Sequence, residues 1–86
     1  MTVFTTRNPE FKTRVEASFV HQPFVRYLGG SLVFVAPGAV DIALAFKPDL
    51  TGEYSYVHGG VVTSIADAAA AYAAMTLASA EMGVFF

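Results

Sequence analysis

The chain has neither cysteine nor tryptophan, and charged residues fill only 14% of its 86 positions. Without cysteine there is no disulfide, no thiolate nucleophile and no cysteine-bound zinc. Basic residues number five, scattered singly within a net charge of −2. The basic patch that phosphate binding requires is missing, which argues against nucleic acid as a partner. The opening MTVFTTRNPEF lacks the basic region and apolar run of a signal peptide, so a cytoplasmic protein is expected. The histidines and carboxylates have no metal-ligand spacing, and no phosphate loop is visible, so neither a metal nor a cofactor is expected.

Apolar residues are what the sequence has in excess, at 55%. A single domain of this length buries only a little over ~60% of the surface that its unfolded chain exposes. So apolar a chain is expected to associate with copies of itself, as a dimer or tetramer. Residues 61–80 are long enough to span a membrane. The stretch is mostly alanine and carries Asp67, Ser64 and Thr76, so a charge would sit in the bilayer for little apolar return. A membrane partner is not expected.

Pro9 to about His21 reads as a helix, with Asn8 as cap, Pro9 in the first position and Phe11, Val15 and Phe19 as an apolar stripe. Pro23 breaks it, and residues 24–28 form a short extra turn closed by Gly29-Gly30, giving an N-terminal helical region over 9–28. SLVFVAPGAVDIALAF then predicts a hairpin over 31–46, with strands near 31–35 and 40–46 and Pro37-Gly38 at the turn. In the second strand Val40, Ile42, Leu44 and Phe46 alternate with smaller or polar residues and mark a buried face. A polar connection over 47–56 leads to a central helix from about Gly59 to Glu81, with Gly83 as a stop. That helix is apolar nearly all round, which predicts a core helix wrapped by a curved sheet. Residues 84–86 resemble the start of a further strand. Two strands do not wrap a six-turn helix, so the expectation is a single, incomplete domain over 1–86.

The chemistry concentrates in HGGVVTSIADAAAAYAAMTLA. His58-Gly59-Gly60 opens the helix, where unengaged backbone N–H groups can hold a developing negative charge. A glycine there also lets a substrate approach the backbone; its structural alternative is a tight loop-to-helix turn. Asp67 stands among alanines, and no basic residue follows Lys47 to pair with it. Such a carboxylate is either a general base with a raised pKa or a structural or solvent-facing group. Gly60 and Asp67 are seven residues apart, on nearly one helix face, yet separated by ~10 Å along the axis. One reacting carbon cannot touch both groups of a single helix. If they share a site, Asp67 comes from a second copy across a two-fold axis. His58 either orients the leaving group or braces the turn, His21 reads as a surface residue, and Tyr72 reads as core.

This motif resembles the signature of hotdog-fold acyl-CoA thioesterases of the phenylacetic-acid-degradation (PaaI-like) type, which open their central helix with His-Gly-Gly and place an acidic residue nine positions after the histidine. QPFVRYLGG and the strand pair around Pro37-Gly38 also fit, so the resemblance covers roughly residues 11–86. It implies an α+β hotdog fold, here truncated after the central helix, that hydrolyses acyl-CoA to a carboxylic acid and free CoA. Gly59 and Gly60 would supply the amide that polarises the thioester carbonyl. Asp67 of the facing subunit would activate water or attack directly, and His58 would position the thioester. Some relatives carry a carbonyl-binding asparagine six residues before the histidine, where this chain has Gly52. Two further readings compete: a non-catalytic acyl-thioester binding module, and a hotdog hydratase or dehydratase, for which His58 lies too near the oxyanion position.

Overall fold

In a computed structural model, which describes residues 4–82, three helices pack on one antiparallel hairpin. The order is α1 (Phe11–Val20), α2 (Pro23–Leu28), β1 (Gly30–Ala36), β2 (Ala39–Leu44), a 3-10 turn (Pro48–Leu50) and α3 (Gly59–Leu77). Residues 84–86, expected to begin a strand, lie outside the described residues, as does Gly83.

Asn8 lies three residues before the first residue of the helix it was expected to cap. Its Oδ1 accepts the Glu10 N–H at 2.9 Å, and its carbonyl accepts the Phe11 N–H at 3.1 Å. Pro9 and Glu10 therefore form a turn, and α1 starts at Phe11 rather than Pro9. Val15 is fully buried and Phe11 and Phe19 half-buried, as the four-residue spacing predicts. Pro23 occupies the first turn of α2, and Gly29 ends it at φ 92°, a left-handed conformation that favours glycine.

β1 and β2 pair from Gly30↔Leu44 to Ala36↔Ala39, with an irregularity between Leu32 and Phe34. The extra residue there resets the alternation of β1. Leu32 and Val35 consequently both reach the core, while Val33 and Phe34 are exposed. The predicted alternation holds in β2 for Val40, Ile42 and Leu44. Phe46 does not follow it, because the strand ends at Leu44 and Phe46 stands exposed beyond it.

The core is Val15, Val25, Ala68, Tyr72 and Met75, flanked by Phe19, Leu32, Val35, Val40, Ile42 and Ile65. Tyr72 is fully buried, receives the Ser18 hydroxyl at 3.4 Å and lies 6.0 Å from the Phe19 ring. Thr76 ties three segments together: its hydroxyl accepts the Gly38 N–H at 2.8 Å and donates to the Ala73 carbonyl, and its own carbonyl accepts from Thr6.

α3 differs from expectation in two ways. It ends at Leu77 instead of running to Glu81, and Ala78 takes an extended conformation at φ −76° and ψ 149°. The guanidinium of Arg14 on α1 donates to the Ser79 and Met82 carbonyls, holding a positive charge beside the negative end of the α3 dipole. Nor is α3 buried all round: of its 19 residues only Ala68, Tyr72, Met75 and Thr76 are buried. Two strands and two short helices cover one side of it. The other side, running through Gly59, Thr63, Ala66, Asp67, Ala70 and Ala74, is exposed. With extents of 44 × 31 × 18 Å the molecule is a thin slab.

Candidate active site

The start of α3 is held by the loop before it. The Gly52 N–H donates to the Tyr56 carbonyl and the His58 N–H to the Leu50 carbonyl, each at 2.8 Å, and Thr51 bridges Val57. Ser55 closes the tip at φ 65°. This frame fixes His58 as the N-cap of α3. Its carbonyl accepts from Val61 and Val62, and its Nδ1 accepts the Gly60 N–H at 2.9 Å. Of the two roles open to His58, bracing the turn is the one this geometry displays.

That bond separates the two glycines. The Gly60 amide is engaged by the histidine, whereas the Gly59 amide has no hydrogen-bond partner among the described residues. A Cβ at Gly60 would lie 3.1 Å from Nδ1, while one at Gly59 would meet nothing within 4 Å. Gly59 thus carries an exposed, unengaged donor at the positive end of a 19-residue helix. A Cβ at Gly52 would stand 4.0 Å from Cδ2 of His58, so a side chain at that position would border the same turn.

Asp67 is exposed on the same helix. Of the alternatives open to it, the solvent-facing one holds within one copy, where Asp67 shares the uncovered side of α3 with Ala66 and Ala70. It borders a cleft of about 220 Å³ between α2 and α3, shared with Gln22, Phe24, Val25, Ser64 and Ala68. Ser64 spends its hydroxyl on the Gly60 carbonyl at 2.8 Å, which leaves it bound into the helix. His21 is exposed at the end of α1, and Tyr72 lies in the core. Among the described residues no group of three or more histidines and carboxylates is placed to hold a metal.

The Gly59 amide and Asp67 lie eight residues apart on one rigid helix, ~12 Å along its axis. A single copy therefore presents the two groups separately, each to its own side of any substrate. Sequence reasoning found both groups and missed the α2 wall beside Asp67. Its only signal was the QPF run, read there as a turn.

No protein-family model matches the chain, and no curated protein matches it. Among solved structures it is similar to a thioesterase family protein from Silicibacter pomeroyi, at a TM-score of 0.78 and 30% identity over 80% of this chain and 51% of that one. The chain spans about half the length of that protein. Its long helix and hairpin are those of a hotdog fold, as the motif around His58 led one to expect.

Proposed function

We propose that this chain belongs to an acyl-CoA thioesterase whose two active sites each combine the α3 N-terminus of one copy with Asp67 of another. The observation that carries the reading is the presence, on one exposed helix side, of a Gly59 amide and, two turns on, an Asp67 carboxylate that are both without a partner among the described residues. Likeness to a thioesterase family protein supports the reaction class.

In this mechanism the thioester carbonyl oxygen accepts the Gly59 N–H, which stabilises the oxyanion of the tetrahedral intermediate. His58 contributes by holding the Gly60 peptide, and so the first turn, in place. Asp67 of the second copy takes a proton from water while the water oxygen bonds to the carbonyl carbon. The intermediate collapses with cleavage of the carbon–sulfur bond. The proton held by Asp67 passes to the departing thiolate, giving the carboxylic acid and free CoA. Antiparallel pairing of the exposed α3 sides across a two-fold axis brings each glycine opposite an aspartate.

Free-thiol release from acyl-CoA tests the reading. Asp67→Asn is expected to lower kcat by ~10²- to 10⁴-fold without moving the unfolding midpoint, because the side chain is exposed and has no partner among the described residues. An equal rate in wild type and variant would refute the assignment. Sharing of the site has its own test: Asp67→Asn mixed with Gly59→Val should regain turnover, since one site of the mixed dimer keeps both groups. Saturable binding of acyl-CoA with no product would make the chain a binding module instead.

A further inference from the structure

We infer that the outer edge of β1, with α1 beside it, is a second self-association face, on which another copy of this chain docks by antiparallel β1–β1 pairing. The inference does not rest on the thioesterase reading, and the face is separate from the exposed side of α3.

Among the described residues the sheet has two strands, so β1 pairs with β2 alone. The backbone of residues 31–36 makes no hydrogen bond outside that hairpin, and the free edge of such a strand is a template for another. A two-stranded sheet is marginal in water, and added strands stabilise it. A cleft of about 270 Å³ is bordered by four consecutive residues of β1, Leu32 to Val35, and by Lys12 and Glu16 of α1. Those four residues include both faces of the strand, and no residue of β2 borders the cleft, so it lies along the outer edge. Val33 opposes no residue of β2. Val33 and Phe34 are 64% and 50% exposed, and strand pairing would cover both.

An open edge takes many strands; the charges beside this one select a copy of the chain itself. Lys12 and Glu16 are exposed and make no ion pair among the described residues. They stand one turn and ~6 Å apart along the helix. A two-fold axis at the level of Arg14 sets a second α1 antiparallel to the first. Each Lys12 then faces a Glu16 and each Glu16 a Lys12, a self-complementary pattern. A parallel copy would set like charges together. Because α1 packs against β1, the same axis brings the two strand edges side by side. The groove at the far end of α3, bordered by Phe4, Leu77 and Met82, has Arg7 as its single charged residue and no strand edge, so nothing there selects an occupant.

The test is sedimentation velocity of the full chain at low ionic strength, with amide exchange followed over residues 32–35. It compares wild type, Lys12→Glu, Glu16→Lys, the double swap and an equimolar mixture of the two single variants. Each single variant sets like charges across the axis and is expected to associate about tenfold more weakly than wild type. The mixture and the double swap restore opposite charges and should regain wild-type affinity. Exchange over 32–35 should slow with rising concentration in wild type and double swap but not in either single variant. All four chains should share one unfolding midpoint, since both side chains are exposed. Equal association across all samples would overturn the inference, as would single variants that neither the mixture nor the double swap rescues. Charge-dependent association with exchange at 32–35 independent of concentration would also overturn it, because the edge would then lie outside the contact. A wild-type chain that stays monomeric would leave the edge to a foreign strand and refute self-pairing. Neither residue lies on the exposed side of α3, so these outcomes stand apart from whether Asp67→Asn loses turnover.

Discussion

Replacing His58 separates a capping role from a chemical one. Its Nδ1 accepts the Gly60 N–H at 2.9 Å, and the ring is exposed, so truncation opens no cavity and the cost reduces to the cap. Losing an N-cap acceptor costs about 1 kcal/mol, within a range of roughly 0.5–2. For a domain of this size that lowers Tm by about 4–8 °C. Asparagine is among the best cap residues and reaches the same N–H, so His58→Asn should recover nearly all of the loss. The assay is urea unfolding of the full chain followed by circular dichroism, with thiol release measured on the same samples. His58→Ala should fall in both stability and turnover, and His58→Asn should restore both, because the imidazole acts on the reaction by fixing the first turn of α3. An unchanged midpoint for His58→Ala would show that the Gly60 bond contributes nothing to the fold. Restored stability without restored turnover in His58→Asn would show that the imidazole touches substrate.

Two further outcomes follow from the same geometry. Gly59→Ala should keep or raise the unfolding midpoint, since alanine outranks glycine in helices and its methyl meets no neighbour. It should still lower kcat/KM by about tenfold or more by shading the free amide, and equal activity would remove Gly59 as the oxyanion donor. Thr76→Val keeps the shape of a fully buried side chain but strips the Gly38 N–H of its acceptor. It should cost about 1–3 kcal/mol and speed amide exchange at Gly38, whereas unchanged protection there would refute the tie between α3 and the hairpin turn.

What the sequence determined is what local chemistry dictates. Pro23 and Gly29 bound α2 because a fixed φ starts a helix and a left-handed residue ends one. The alternation of Val40, Ile42 and Leu44 made β2 and its buried face legible, and His58-Gly59-Gly60 marked the start of α3 and, with Asp67, the candidate chemistry. Tertiary structure decided whatever depends on residues distant in the chain. The end of α3 at Leu77 goes with Arg14, 65 positions before Ser79, and nothing near residue 78 announces it. The exposure of α3 depends on how many elements surround it, so an apolar composition that reads as buried from sequence proved to be half uncovered. The distinction between Gly59 and Gly60 rests on one imidazole orientation fixed by the loop over residues 50–58. The cleft beside Asp67 exists only because α2 folds back against a helix that begins some thirty residues later. Periodicity and caps belong to the sequence, because they act over one turn or one strand pair; cleft walls and engaged amides are set by packing.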